Sequence, residues 1–260
     1  MTGLRRTLGL LALMVISIRA EEKKAKFVSE RIEEANTHTV RAPDGFFVED
    51  DMAYDSESER NADPCTSYNC KWDQASNGMV YVPYIIADDY TSRERAIIER
   101  GLESFHSVSC IRFVPRTSER DYIHIQSLDG CFSYVGRRFN AQALSLKRQG
   151  CLYHHVVQHE LLHALGFKHE QCRSDRDQYI RILLENVIPG WEYAFDKINT
   201  LNQGTPYDYN SVMQYSKYAF SKNNQPTMVP IPDPNVEFGT ATEMSQNDIT
   251  RLNRLYNCNY

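Results

Sequence analysis

The sequence has no second long apolar run, no basic patch and no internal repeat along its 260 residues. After residues 8–18, no segment is long and apolar enough to span a bilayer, so we expect no membrane span in the mature protein. Acidic side chains outnumber basic ones by 34 to 29, and no basic stripe interleaved with aromatics occurs. That lack argues against nucleic acid as a partner.

The first 20 residues predict a secretory signal peptide. Arg5 and Arg6 precede the short apolar run, and the small residue Ala20 follows it. A basic start, an apolar stretch of this length and a small residue at the end are typical of a signal that is removed during export. We therefore expect a secreted, extracellular protein, with secretory granules as one route of release.

Residues 21–60 differ in composition from the rest of the chain. They contain twelve acidic and six basic side chains, no cysteine and few large apolar residues. A charged segment this short cannot bury a core of its own. It is therefore a tail, a linker or a pro-segment.

Residues 61–260 hold every cysteine and enough chain for one domain or for two small lobes that share a cleft. Behind a signal peptide, cysteines indicate disulfides formed in an oxidising compartment. Six cysteines alone allow 15 pairings, so composition does not choose among them. The seven positions are Cys65, Cys70, Cys110, Cys131, Cys151, Cys172 and Cys258.

The stretch from His159 to His169 predicts a catalytic metal site. His159 and His163 lie one helical turn apart, so their imidazoles can converge on one ion, with Glu160 beside them to hold a water molecule. Gly166 can take a positive φ, which ends the helix and lets His169 supply a third nitrogen. Three protein nitrogens leave a tetrahedral zinc one open position, which is the catalytic arrangement.

The longer pattern H-E-x-x-H-x-x-G-x-x-H is the metzincin signature, which also asks for a methionine turn further along the chain. Residues 211–215, SVMQY, supply that turn with Met213. Together with HELLHALGFKHEQ at residues 159–171 and RSDRD at residues 173–177, these motifs resemble the astacin family of zinc endopeptidases.

The resemblance implies an α+β fold and one Zn²⁺ per chain. The expected architecture is a two-lobed catalytic domain: a twisted mixed sheet with helices, the zinc helix in the cleft, and a loop-rich C-terminal lobe. In the family pattern Glu160 is general base and then acid, Tyr215 donates to the oxyanion, and Met213 forms an apolar floor below the histidines. Glu170 is expected to receive the N-terminal amine, although a mature start at Asn61 is long for that contact.

The family pattern also implies the disulfides. It pairs Cys110 with Cys258 and Cys131 with Cys151, and it leaves Cys65–Cys70 as a short local pair. The extra pair resembles the six-cysteine branch that includes hatching enzymes and nephrosin. Cys172 is left over, and we interpret it as a buried free thiol.

Astacin pro-segments carry a Phe-x-Gly-Asp motif whose aspartate binds the zinc, and two alignments of it are open here. Anchoring on Phe47 makes Asp50 the ligand. Anchoring on the Glu-Gly-Asp-apolar pattern of hatching-type relatives makes Asp51 the ligand, and we prefer it. In both alignments the glycine is missing, and a plain solvated acidic run is the alternative reading. An activating cut is expected near Arg60.

Periodicity and capping predict the main elements of the catalytic domain. We expect a capped helix after Thr91, a final helix after Ser245, a loop over the proline-rich residues 225–234, and no firm assignment for residues 180–187. His155, one turn before His159, is not expected to be a ligand. We expect strands at Val80–Ile86, 110–114, Tyr122–Gln126 and Cys131–Tyr134. The metzincin resemblance implies an edge strand that pairs with extended substrate, and we place it at Cys131–Tyr134.

The predicted organisation is a signal peptide (1–20), a pro-segment (21–60) and a peptidase domain (61–260). The predicted function is a secreted zinc endopeptidase made as a latent zymogen, with protein or peptide substrates and digestion of an egg envelope as one role. A monomer is expected. The alternatives are a nephrosin-like tissue or defence protease, a catalytically idle zinc-binding adhesion protein, and a small receptor ligand.

Overall fold

The computed structural model describes residues 27–36, 47–54 and 70–259. The predicted signal peptide, Arg60, Asn61 and Cys65 lie outside these ranges. The helices in the described ranges are α1 (Val28–Asn36), α2 (Ser92–Glu103), α3 (His154–Ala164) and α4 (Gln246–Leu255). The strands are β1 (Phe47–Glu49), β2 (Met52–Tyr54), β3 (Val80–Ile86), β4 (Ile111–Pro115), β5 (Tyr122–Gln126), β6 (Cys131–Tyr134), β7 (Ala141–Leu146), β8 (Ile180–Ile182) and β9 (Met228–Pro230).

One mixed sheet organises the described part of the first lobe, in the order β1-β2-β6-β7-β5-β3-β4. Strands β3, β4, β5 and β7 are parallel, and β6 runs antiparallel to β7. Strand β2, from the predicted pro-segment, adds to β6 in the parallel sense. Without β1 and β2, β6 is therefore the edge of the sheet, as the sequence predicts.

Two separate apolar clusters correspond to the two expected lobes. The larger one joins the sheet to α2, α3 and α4, while the smaller one lies in the C-terminal part around Ile180, Tyr215 and Phe238. The smaller cluster carries the two-stranded sheet of β8 and β9. The predicted α+β metzincin architecture is confirmed. The prediction of plain loop for residues 225–234 is wrong in part, because β9 pairs with β8 inside that run.

Local capping explains where two of the helices begin. Thr91 accepts the Glu94 N–H, and the Glu94 carboxylate accepts the Thr91 N–H, which forms a capping box before α2. Ser245 and Asp248 form the same arrangement before α4. Each box satisfies two backbone donors that a helix start leaves unpaired.

Covalent bonds tie the catalytic domain together at two described places. Disulfides join Cys110 to Cys258 and Cys131 to Cys151, the same cysteines that the family pattern pairs. Cys70 is also disulfide-bonded, and its predicted partner Cys65 lies outside the described residues. Cys172 is a buried free thiol.

Within the described ranges, no helix has both the length and the apolar character needed to cross a bilayer.

A close contact between α2 and α3 yields a first prediction. A Cβ atom at Gly101 would lie 2.3 Å from Cγ1 and 2.8 Å from Cβ of Val157, which is fully buried in α3. We expect Gly101→Val to lower the free energy of unfolding by about 1–3 kcal/mol, because it overpacks this contact. The control Ala96→Val, at an exposed position of α2, should change it by less than about 0.5 kcal/mol. Equal effects of the two variants in denaturant titrations would contradict the packing account.

Candidate metal centre and active site

Helix α3 carries His159 and His163 on one face, and both side chains are fully buried. The helix ends in a Schellman motif: Phe167 N–H donates to Leu162 O at 3.0 Å, and Gly166 N–H donates to His163 O at 2.8 Å. Gly166 has φ +101°, the left-handed conformation that the sequence predicts for it. The chain then reverses and brings His169, only 2% exposed, back to the same place.

Backbone carbonyls orient two of the imidazoles. His159 Nδ1 lies 2.8 Å from Val212 O, and His163 Nδ1 lies 2.7 Å from Phe167 O. Because a carbonyl oxygen only accepts, each Nδ1 carries the hydrogen and each Nε2 keeps a lone pair. The two Nε2 atoms lie 3.1 Å apart. Two lone pairs that face each other at this distance call for a cation between them.

Asp51 completes this cluster from the predicted pro-segment. Its carboxylate lies 2.9 Å from His159 Nε2, 3.4 Å from His163 Nε2 and 3.0 Å from His169 Nε2. All four ligand atoms lie within 4.8 Å of one another. Three imidazole nitrogens and one carboxylate oxygen are a donor set typical of tetrahedral zinc, so the residues present fit the ion that the sequence predicts. His155 is not part of the cluster.

Electrostatics favour an ionised Asp51. Burial alone would raise its pKa. When the imidazoles carry a second proton at Nε2 in place of a metal, the charges of His169 and His163 and the hydrogen bonds from His159 and His163 outweigh burial. Together they hold the pKa of Asp51 well below its usual range. Asp51 therefore meets the histidines as a carboxylate, the form that binds a metal.

Glu160 is fully buried, and neither of its carboxylate oxygens has a hydrogen-bond partner among the described residues. Burial first, then the neighbouring Asp51 and Asp50 carboxylates, raise its pKa well above the usual range. A buried, unpaired carboxyl beside a metal site is costly for folding and is typical of a functional group.

Tyr215 belongs to the predicted methionine turn and contacts the same cluster. Its hydroxyl donates to Asp51 Oδ2 at 3.1 Å and also contacts the Asp50 carboxylate. Its ring packs against the His169 ring with centroids 4.3 Å apart. Met213, two residues earlier, is buried in the main core cluster. The predicted residues around the histidines are thus brought together in one place.

Residues 66–257 match the protein family described as Astacin (Peptidase family M12A). The chain belongs to the astacin family. It is therefore a zinc-dependent metalloendopeptidase, a hydrolase that acts on peptide bonds of protein substrates. This family membership confirms the resemblance, the enzyme class and the zinc cofactor that the sequence predicts.

The similar proteins include enzymes named choriolytic and one described as a hatching enzyme. High choriolytic enzyme 1 of Oryzias latipes is 47% identical over 232 residues, which cover 89% of this chain and 84% of that protein. Low choriolytic enzyme of the same fish is 46% identical over 201 residues, which cover 76% and 74%. A solved structure described as High choriolytic enzyme 1, a hatching enzyme zinc-protease from medaka, has TM-score 0.73 and 51% identity, and the match covers 76% of this chain and 100% of that one.

The turn between β1 and β2 decides which pro-segment aspartate meets the histidines. Asp50 has φ +60° and Asp51 follows it into the site. In the alignment that we prefer, Asp50 stands where relatives have the missing glycine, which is the residue best suited to a positive φ. Aspartate tolerates this conformation better than most residues. In the structure the Asp50 carboxylate lies against the Tyr215 hydroxyl, and the Asp51 carboxylate faces the imidazoles.

Glu170 has partners in this astacin that sequence reasoning missed. Its carboxylate accepts from Arg251 at 2.5 and 2.9 Å, from Arg173 at 3.4 Å and from Asp208 N–H at 2.7 Å. The N-terminal amine expected from the resemblance lies outside the described residues. Arg251 gives no local signal of this role, since it is one of several cations on an amphipathic helix far along the chain. Burial, against the pull of Arg251 and Arg173, raises the pKa of Glu170 to about 7.

Removing Arg251 should destabilise the fold in a pH-dependent way. A buried carboxylate that loses its partner costs about 3–5 kcal/mol, so we expect a loss of that size for Arg251→Leu at pH 8. The pKa of Glu170 is raised in the folded state, from 4.5 to about 7, so its contribution to stability is lost as pH rises through this window. Without Arg251 that pKa rises further, and the loss should be smaller at pH 5, where the carboxyl is protonated.

The matched control is Arg254→Leu, an exposed position of the same helix whose side chain donates to Gln203 O. We expect it to change the free energy of unfolding by less than about 0.5 kcal/mol at both pH values. A loss for Arg251→Leu that is the same at pH 5 and pH 8 would contradict the role given to Glu170.

Proposed function

We propose that this chain is the latent form of a secreted, hatching-type astacin that digests an egg envelope. The observation that carries the proposal is the buried cluster of His159, His163, His169 and Asp51, in which a pro-segment carboxylate faces three zinc-binding nitrogens. The biological role is supported by relatives named high and low choriolytic enzymes. The idle adhesion protein and the receptor ligand are not favoured, because Glu160 and Tyr215 are both in place at the site.

In this proposal the three histidines hold zinc, and Glu160 and Tyr215 do the proton and hydrogen-bond chemistry. Zinc, when bound, lowers the pKa of a water molecule towards about 7 and polarises the scissile carbonyl. Glu160 accepts the proton of the attacking water and then delivers it to the leaving amine. The Tyr215 hydroxyl donates to the carbonyl oxygen as negative charge develops there.

The same residues support a latent state before activation. Asp51 takes the position beside the three imidazoles where water is needed, and Asp50 engages the Tyr215 hydroxyl. The two pro-segment carboxylates also raise the pKa of Glu160, which disfavours its basic form. The pro-segment thus acts on all the catalytic groups of the proposal at once.

We further propose the boundaries that the sequence suggests. Residues 1–20 are the signal peptide, residues 21–60 the pro-segment and residues 61–260 the peptidase domain. A trypsin-like protease cuts near Arg60, and the enzyme is released through secretory granules as a monomer with the Cys65–Cys70 bond near its new N-terminus.

The enzyme reading predicts the behaviour of a Glu160 variant. We expect activated Glu160→Gln to keep one zinc per chain and to lose about two to four orders of magnitude in kcat/KM, because the water has no base. Zinc content is measured by atomic absorption and activity with a fluorogenic peptide and with isolated fish egg envelopes. Chelator should abolish wild-type activity and zinc should restore it. Hydrolysis that is insensitive to chelator would contradict the zinc-enzyme proposal. If the enzyme cleaved the peptide but left the egg envelopes intact, only the hatching role would be contradicted.

We call the Asp51 carboxylate at the three imidazoles the latch. If it keeps the uncleaved protein inactive, removal of Asp51 should make that protein active. Losing about 1.4 kcal/mol of latch energy raises the open population about tenfold, so Asp51→Ala should gain at least that much activity over the wild-type latent chain. The control is Asp55→Ala, four residues along the same acidic run, which should stay silent.

Two outcomes would change this account. If Asp50→Ala were active and Asp51→Ala silent, Asp50 would be the zinc ligand of the latch. If both variants stayed silent, the latch hypothesis would fail.

A further inference from the structure

Helix α1 packs on the catalytic domain through one polar stripe that bonds main-chain groups of residues 131, 216 and 220. Ser29, Glu33 and Asn36 lie at i, i+4 and i+7, on the same face of the helix. Val28 and Ile32 flank them, and both are about 1% exposed within the main core cluster. The Arg31 guanidinium stacks 3.4 Å over the Tyr153 ring, next to the start of α3. The helix is therefore packed against the cleft and not a solvated tail.

Asn36 pairs with the edge strand as a peptide group would. Its side-chain amide donates to Cys131 O at 2.7 Å, and its side-chain oxygen accepts the Cys131 N–H at 2.7 Å. The same amide donates to Asp50 O at 2.7 Å. A donor and an acceptor that meet both main-chain groups of one residue reproduce the pairing of two β-strands. Asn36 is only 4% exposed, so water does not compete for these bonds.

Two further bonds join α1 to the C-terminal lobe. Ser216 N–H donates to Ser29 Oγ at 3.0 Å, and Phe220 N–H donates to Glu33 Oε1 at 2.9 Å. Both donors belong to residues 216–220, directly after Tyr215. Without α1, these N–H groups would need other acceptors, because a buried N–H without a partner is costly.

The backbone that presents these donors is held in an uncommon shape. Phe220 has φ +54°, a left-handed conformation that aromatic residues rarely adopt. Gly239 lies so close behind Ser216 that a Cβ there would meet Ser216 Cα at 2.4 Å and Ser216 N at 2.6 Å. Strain that the surrounding structure maintains is characteristic of functional segments.

Helix α1 and strand β2 cover different parts of the edge strand β6. Strand β2 starts at Met52 and covers β6 at Ser133 and Tyr134, while Asn36 covers β6 at Cys131. Asp51 lies between the two, at the histidines. The histidines therefore divide the cleft into two halves. Strand β2 covers one half, and α1 covers the other.

We propose that the N–H groups of Ser216 and Phe220 bind main-chain carbonyls of the polypeptide substrate, on the half of the cleft that α1 covers. The substrate lies between these donors and the edge strand. Helix α1 closes this half by presenting side-chain acceptors, Ser29 Oγ and Glu33 Oε1, in place of substrate carbonyls. This inference rests on the proposed endopeptidase function and adds a substrate-positioning segment to it.

Amide hydrogen exchange tests the first part on the full latent chain. We expect the Ser216 and Phe220 amides to exchange at least about tenfold faster after activation than in the latent protein. Ser29→Ala should release Ser216 in the latent chain, and Glu33→Ala should release Phe220. Glu33→Gln keeps an acceptor oxygen and should keep Phe220 protected, while Glu34→Ala, on the exposed side of α1, should change neither amide.

The substrate arm uses activated Glu160→Gln and a peptide that the wild-type enzyme cleaves. The bound peptide should slow exchange at Ser216 and Phe220 about tenfold again. A peptide that lacks the residues on the side of the scissile bond that binds under α1 should not slow it. Protection of the Ser133 amide without protection of Ser216 and Phe220 would overturn the proposal. Failure of the wild-type enzyme to cleave any peptide would instead overturn the proposed function. The peptide arm stands even if the α1 variants fail to fold.

Discussion

Three imidazole nitrogens that point into a space closed to water are the constraint on which this structure depends. Such nitrogens are compatible with folding only around a cation or a proton, and much of the chain works to hold them there. The turn at Gly166 returns His169 to the helix, and Val212 O fixes the ring of His159. Asp248 accepts from Val212 N–H and Ser211 Oγ while it caps α4. The last helix of the chain thus braces the carbonyl that orients the first ligand.

The predicted pro-segment takes part in the same arrangement of side chains around the histidines. It supplies a strand to the edge of the sheet, a carboxylate to the imidazoles and a helix to the other half of the cleft. The glycine missing from its motif has a physical counterpart in Asp50, whose φ of +60° carries some conformational cost. The contact between the Asp50 carboxylate and the Tyr215 hydroxyl offsets that cost with an interaction that glycine could not make.

Most features that the sequence predicts depend on residues that are close together in the chain. The spacing of His159, His163 and His169 and the turn at Gly166 follow from helix geometry alone, and the capping residues Thr91 and Ser245 mark where helices begin. Strands β3, β5 and β6 lie at their predicted bounds, and β4 is shifted by one residue. The choice of Asp51 over Asp50 came from the family motif and agrees with the position of its carboxylate.

Contacts between residues far apart in the chain could not be predicted from sequence patterns. Arg251 pairs with Glu170, which lies 81 residues away, and periodicity marks Arg251 only as a helix residue. Strand β9 exists because Met228–Pro230 pairs with Ile180–Ile182, and its proline is tolerated at the end of a two-stranded sheet, where the ladder needs no donor. Charge marked residues 21–60 as a segment without a core, yet Val28 and Ile32 are buried in the core of the catalytic domain.

Zinc K-edge X-ray absorption on the uncleaved and the cleaved protein distinguishes a zinc ion bound by the Asp51 carboxylate from one that binds water. We expect one zinc with three imidazoles in both forms, and a carboxylate ligand in the latent form that is replaced by a water oxygen after cleavage near Arg60. Identical zinc environments before and after cleavage, or fewer than three imidazoles in either form, would contradict it.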